Sequence, residues 1–173
     1  MKISVLTVFL SLLLVSCNFK NAKLKTNTNY TGNKLDNVFV VVVSDEDTKA
    51  CLDYYKAFLI DSLNSSLVKT EGAYFCCRNA STDMQAVMQS LVPKESSYKA
   101  VLTIVSSRTT IGHGTSSSRQ LEVGLFDLEK SVTTWKGTLS VNFSWFISDA
   151  NYRGVAQDLT KATLKELRKK SII

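Results

Sequence analysis

Val38-Phe39-Val40-Val41-Val42-Val43 is the stretch that decides the fold. Six apolar residues, five of them β-branched, follow one another without alternation. A strand with one wet face would alternate; a run like this reads as a strand buried on both faces, central in a sheet with helices on each side. Ser44-Asp45-Glu46-Asp47 then supplies a helix N-cap and an acidic first turn. The spacing of Leu52, Tyr55, Leu59 and Leu63, with Cys51 and Phe58 beside them, predicts a helix to about Leu67. After Gly72, Ala73 to Cys77 reads as a second strand. Strand, helix and strand in this order make a parallel crossover.

Ser81-Thr82-Asp83 caps a second expected helix carrying Met84, Val87, Met88 and Leu91, and Pro93, the one proline of the chain, stops it. Ala100 to Val105 is a third strand. Ser106 to Arg119 is rich in Ser, Thr and Gly and reads as a long hairpin tip. Gln120 to Phe126 returns. In the last strand Trp135, Leu139, Val141, Phe143 and Trp145 fall on one face and Lys136, Thr138, Ser140, Asn142 and Ser144 on the other, the alternation of an antiparallel strand with one wet face. Asp149 opens a final helix with Tyr152, Val155, Ala156, Leu159, Thr163 and Leu167 as its buried stripe. The expectation is a single α/β (α+β) domain, β-α-β-α-β-β-β-α, with a mixed sheet and flanking helices.

Upstream of the first strand, Asn18 to Asn37 mixes Lys20, Lys23, Lys25 and Lys34 with Asn and Thr and has little to bury, the composition of a disordered tether. As a coil it would span roughly 25 Å, and fully extended about 70 Å. Before it, Met1-Lys2 is a short basic start. Ile3 to Val15 is apolar but for Ser4, Thr7 and Ser11, too short for the ~20 residues of a membrane-spanning helix. Ser16-Cys17 follows. This order is that of a secretory signal, and its small-residue–cysteine end resembles the lipobox of bacterial lipoproteins. The resemblance implies cleavage before Cys17, lipid attachment on the Cys17 sulfur and an acylated amino terminus. It divides the chain into a signal peptide at residues 1–16, a lipidated tether at 17–36 and a periplasmic globular domain at 37–173.

The order of elements, with Asn37-Val38-Phe39-Val40-Val41-Val42, Leu125-Phe126-Asp127-Leu128 and Thr134-Trp135-Lys136-Gly137, also resembles small periplasmic lipoprotein domains. These have the anticodon-binding-like fold of the TolB N-terminal domain, the curli secretion lipoprotein CsgG and the penicillin-binding-protein activator LpoB. The glycine-rich early segments of the channel-forming member and a proline-rich tether are absent here. The resemblance implies a non-enzymatic accessory, assembly or partner-docking lipoprotein. Asn18, rather than the aspartate that retains many lipoproteins on the inner membrane, follows Cys17, so the expectation is an outer-membrane lipid anchor facing the periplasm, with surface exposure left open, and a protein partner in the envelope.

The formal net charge is +6 at pH 7, and Lys2 leaves with the signal. An exported protein rarely meets nucleic acid, so the basic balance points instead to anionic head groups, wall polymer or an acidic protein. No cofactor is expected. The one histidine, His113, lies between Gly112 and Gly114 with no orienting carboxylate nearby in sequence. With the isolated apolar Ile111 it forms the expected partner contact at the hairpin tip. Beyond Cys17 the chain has Cys51, Cys76 and Cys77. Either all three are buried thiols, or Cys51 pairs with Cys76 or Cys77, since adjacent strand residues face opposite ways. Two other functions stay open: a small envelope hydrolase or metal-dependent enzyme, and a subunit of an oligomeric secretion complex.

Overall fold

A computed structural model describes residues 22, 24–26, 30–76, 84–94, 97–111, 116–144 and 149–173. Their elements in chain order are β1 (Leu24–Thr26), β2 (Asn37–Val43), a 3-10 turn (Glu46–Thr48), α1 (Lys49–Ser65), β3 (Lys69–Phe75), α2 (Met84–Leu91), β4 (Ala100–Ile111), β5 (Ser116–Asp127), β6 (Val132–Ser144) and α3 (Asp149–Lys169). The strands form one sheet in the order β1-β6-β5-β4-β2-β3. β2 runs parallel to both neighbours, β3 and β4, while β4-β5, β5-β6 and β1-β6 are antiparallel. The fold is the expected mixed α/β domain.

β2 is central because it has no polar face to offer. Val38, Val40 and Val42 enter the larger core with α1 and α3, while Phe39, Val41 and Val43 enter a second core with Tyr98, Val101 and residues of α2. The larger core gathers Leu52, Tyr55, Leu59 and Leu63 of α1, Leu121, Val123 and Leu125 of β5, Trp135, Leu139 and Val141 of β6, and Val155, Leu159 and Leu167 of α3. Gly72 lets α1 settle on β3: a Cβ there would stand 2.6 Å from the Val40 carbonyl oxygen and 2.9 Å from Ile60 Cδ1.

Both helix ends on this face use the same stop. At α1, Val68 N–H donates to Leu63 O and Leu67 N–H to Asn64 O, with Leu67 left-handed at φ 63°. At α3, Ile172 N–H donates to Leu167 O and Ser171 has φ 55°. The 6→1 bond returned from the residue after a left-handed one is the Schellman closure.

Three expectations are corrected. The tether is docked in part: Leu24–Thr26 adds a sixth strand, with Leu24 opposite Leu139 and buried. Leu24 covers Gly137, where a Cβ would come within 2.7 Å of Leu24 Cδ1. The Ser106–Arg119 segment is mostly strand, because a bulge between Ser106 and Arg108 lets the ladder go on from Arg108↔Gln120 to Ile111↔Ser117. β3 starts at Lys69, four residues before the expected Ala73, in parallel register with β2 from Asn37↔Lys69. The cap at 81–83 and Trp145 lie outside the described residues.

Candidate functional site

The carboxyl end of β2 is where an open sheet of this kind most often takes a ligand, because α1 and α2 leave on opposite faces there. In this chain the position is filled from within. Asp45 caps the 3-10 turn: its Oδ1 accepts the Thr48 N–H at 3.1 Å and Thr48 Oγ1 at 2.6 Å. Its Oδ2 accepts Ser106 Oγ at 3.2 Å and Arg119 Nη1 at 2.5 Å, and Arg119 Nη2 donates to Asp47 Oδ2 at 2.8 Å. Arg119 is only 8% exposed. Ser44 Oγ and Tyr74 OH close the row with a hydrogen bond.

Burial alone would raise the Asp45 carboxyl. The Thr48 hydroxyl, the Arg119 charge, the Thr48 N–H and Ser106 outweigh it and hold the group below the usual carboxylate range. The acidic run read from sequence as a simple helix start is therefore a latch, in which Asp45 and Asp47 hold Arg119 and so join the β2–α1 turn to the β4–β5 hairpin. Sequence reasoning missed Arg119, which it placed at the end of a loop. The available signal was a hairpin cation that could meet the acids Asp45 and Asp47, visible only once the hairpin is known to be a ladder.

The open surface lies on the other face of the sheet. α2 covers the β2 side, packing Val87 and Leu91 on Phe39, Val41, Val43 and Val101. Beyond it, Thr103 and Val105 of β4, Glu122 and Gly124 of β5, and Lys136 and Thr138 of β6 share one face through the pairs Thr103↔Gly124, Val105↔Glu122, Glu122↔Thr138 and Gly124↔Lys136. These residues, with Met88 and Thr133, line a cleft of about 430 Å³. Its floor is shaped by Gly124, where a Cβ would meet Thr103 Oγ1 at 2.9 Å; that hydroxyl instead donates to Gly124 O at 3.2 Å. β1 adds Lys25 to the same face, opposite Thr138. The surface thus offers hydroxyls, a carboxylate and two ammonium groups beside an apolar wall of Met88 and Val105, chemistry suited to hydrogen-bonded and ion-paired recognition. The wet face expected for the last strand is found here: Lys136 and Ser140 are exposed and Thr138 is half-buried.

The other sequence-picked residues do not converge. Cys17, Cys77 and His113 lie outside the described residues. Ile111 ends β4, and its side chain is outside the described set. Of the two alternatives, the bridge from Cys51 is not formed. Cys51 is a free, buried thiol on α1, its Sγ 4.0 Å from Tyr152 O of α3, and burial pushes it up to about 12. Cys76 is disulfide-bonded, at the end of β3, with its Sγ 3.5 Å from Glu46 Oε2. Cys51 points into the helix-side core while Cys76 sits beyond the sheet's end, so the two sulfurs never face each other. Among the described residues no group of three or more His, Cys, Asp or Glu gathers as a metal site. No described helix is long and apolar enough to cross a membrane.

No family profile and no curated protein sequence matches the chain. Among solved structures it is similar to the PelC dodecamer from Paraburkholderia phytofirmans, with 10% identity over 82% of this chain and 96% of that one at a TM-score of 0.48. It is also similar to protein XCC0632 from Xanthomonas campestris, assigned to DUF330, with 11% identity over 87% and 93% at 0.46. A third similar structure is lipoprotein GNA1162 from Neisseria meningitidis, with 12% identity over 77% and 98% at 0.42. The likeness is one of distant general architecture.

Proposed function

We propose that the protein is a lipid-anchored accessory factor of the bacterial envelope, without catalytic activity, that docks a protein partner through the open face of β4, β5 and β6. The Cys17 motif supports the lipid anchor, and Asn18 in place of an inner-membrane retention aspartate supports placing it in the outer membrane, facing the periplasm. The observation that carries the docking role is the half-covered sheet. One face is sealed by α1 and α3, while on the other α2 leaves Thr103, Glu122, Lys136 and Thr138 around an open cleft. Strands buried on one side and presenting mixed polar groups on the other form a rigid platform, and rigid platforms bind with little ordering cost.

The test is recovery of crosslinked partners from envelopes by the tagged full-length protein, in wild type and in the variant Thr138→Arg. Recovery of one stoichiometric partner that Thr138→Arg abolishes, with unchanged melting, supports the reading. Recovery unaffected by Thr138→Arg removes this face from the interface. Absence of any partner together with turnover of a cell-wall substrate would establish the small envelope hydrolase instead. Recovery of only further copies of the chain would establish an oligomeric subunit.

A further inference from the structure

β3 is an edge strand, beyond β2, and its outer side is closed over only part of its length. Lys69 N–H donates to Asp36 O, and Phe75 O accepts Ser44 N–H. The backbone groups at both ends of β3 thus turn inward, to the β2 side. These groups alternate along a strand, so Thr70, Gly72 and Tyr74 turn theirs outward. Thr70 is closed from α1: Asn64 Nδ2 donates to Thr70 O at 3.0 Å, and Asn64 Oδ1 accepts Thr70 N–H at 2.8 Å. The Asn64 carboxamide takes the place of a peptide unit on a neighbouring strand. Gly72 and Tyr74 have no such clamp. Among the described residues nothing bonds their outward N–H and C=O.

An edge with unpaired groups is a template for another strand, and α1 narrows which strand fits. Asn64 lies beside Thr70. Ile60 Cδ1 stands 2.9 Å from where a Cβ of Gly72 would be, and Lys56 Nζ lies 5.4 Å from the centre of the Tyr74 ring. α1 therefore runs antiparallel to β3 along the open edge. The helical spacing of Asn64, Ile60 and Lys56 puts Ala57 and Asp61 on the same flank. Both are exposed, and Lys56 is half-buried. Within its own chain Lys56 reaches Asp53 at 3.9 Å.

A second β3, antiparallel about a two-fold axis through Ala73, matches these groups. Gly72 then lies opposite Tyr74 of the second copy, and each outward N–H meets a C=O, the exchange of a hydrogen-bonded antiparallel pair. Ala73 faces its own counterpart and Glu71 faces Phe75 of the second copy, at the non-hydrogen-bonded positions, where the backbone groups already serve β2. Thr70, held by Asn64, ends the ladder on each side. The same axis sets α1 antiparallel to its counterpart. Lys56, level with Tyr74, then meets Ile60 of the second copy, and Asp61 is one helical residue further, about 1.5 Å along the axis. The two charges are opposite, and symmetry repeats the pair. Ala57 falls at the centre of the crossing, where its short side chain lets the helices approach.

We infer that the protein forms a two-fold dimer in which β3 pairs with β3 of a second copy, Gly72 opposite Tyr74, and α1 pairs across the axis through Lys56 and Asp61. The occupant of the edge is a second copy because the edge is complementary to itself: Gly72 has no side chain where Tyr74 comes opposite, and the cation of each helix faces the acid of the other. The pairing joins the two six-stranded sheets into one and covers Ala73 and Phe75, which are half-buried apolar residues on the α2 side. The cleft on β4, β5 and β6 lies on the far side of β2 from this edge, so it stays open in both copies. The dimer does not rest on the docking role of that cleft.

The test joins crosslinking to mass measurement, on the full-length protein purified in mild detergent. At a non-hydrogen-bonded pair the two Ala73 Cα atoms stand about 4.5 Å apart, within the roughly 4.4–6.8 Å that a disulfide spans. Ala73→Cys oxidised with diamide should therefore run as a covalent dimer on non-reducing gels. Glu71→Cys stands about 13 Å from its own counterpart and should not. Cys51 is buried and Cys76 is already bonded, so wild type sets the background. In sedimentation equilibrium wild type should be a dimer. Lys56→Glu and Asp61→Lys should each raise its dissociation constant several-fold, and the double variant should restore it, with circular dichroism spectra unchanged throughout. A wild type that stays monomeric across the concentration series overturns the dimer. Crosslinking as strong at Glu71→Cys as at Ala73→Cys overturns the register. A dimer indifferent to both charge reversals, or not restored by the double variant, overturns this edge as the interface.

Discussion

Replacing Asp45 by Asn tests whether the latch at the carboxyl end of β2 holds the hairpin to the domain. The substitution keeps one oxygen for Thr48 but sets an amide against the donors Ser106 Oγ and Arg119 Nη1. Arg119, 8% exposed, keeps only Asp47, whose side chain is 79% exposed. Breaking a fully buried ion pair costs about 3–5 kcal/mol. The Asp45 side chain is 40% exposed, so solvent screening reduces this, and about 1.5–3 kcal/mol remains, the range of a hydrogen bond to a charged group. For a domain of this size that lowers Tm by about 4–9 °C. Urea unfolding at neutral pH, followed by the fluorescence of the buried Trp135, measures it. Arg119→Met keeps the apolar stem and should lose about 1–2 kcal/mol. Because the two groups act on each other, the double variant should lose less than the sum, with a coupling of at least ~1 kcal/mol. The pH dependence has a fixed sign. A carboxyl held below its unfolded value stabilises fully above that value, about 3.9, and loses its contribution as pH falls through the depressed folded value. The gap between wild type and Asp45→Asn should therefore shrink below about pH 4. An Asp45→Asn protein within ~0.5 kcal/mol of wild type at neutral pH, or additive single variants, would refute the latch.

Trp135→Ala should lose about 3–5 kcal/mol in urea unfolding followed by far-UV circular dichroism, since the indole is fully buried. Trp135→Phe should lose far less, because it also removes an indole N–H that has no hydrogen-bond partner among the described residues; equal losses would mean the N–H is satisfied in solution. Leu67→Gly should raise stability by about 1 kcal/mol, because Leu67 holds φ 63° while 92% exposed, and a lower Tm would count against the Schellman closure there. Cys17→Ala should abolish incorporation of radiolabelled fatty acid and leave an uncleaved precursor; label equal to wild type would sink the anchor. The joint change of Ile111 and His113 to Ser should leave Tm unchanged, and lost partner recovery in that variant would move the protein interface to the hairpin end.

Much of the fold was legible because burial wrote itself into local pattern. The unbroken Val38–Val43 run could only be central, and Leu52–Leu63 and Val155–Leu167 repeat at the helical period. The Trp135–Val141 alternation separated a core face from the wet face that became the cleft wall. Each of these elements carries its own apolar signal.

Tertiary structure decided what carries no such signal. Leu24–Thr26 is three residues long and becomes a strand only because β6 offers a free edge and Gly137 leaves room for Leu24. Ser106–Arg119 has the composition of a loop, and its ladder is held by cross-strand backbone hydrogen bonds, to which side-chain hydropathy is blind. Asp45 and Arg119 are 74 residues apart. Either alone reads as an ordinary cap or surface cation. Only the packing of the hairpin against the β2–α1 turn makes them a pair, with Arg119 buried and Asp45 half-buried, because charge pairing depends on distance in space and not along the chain.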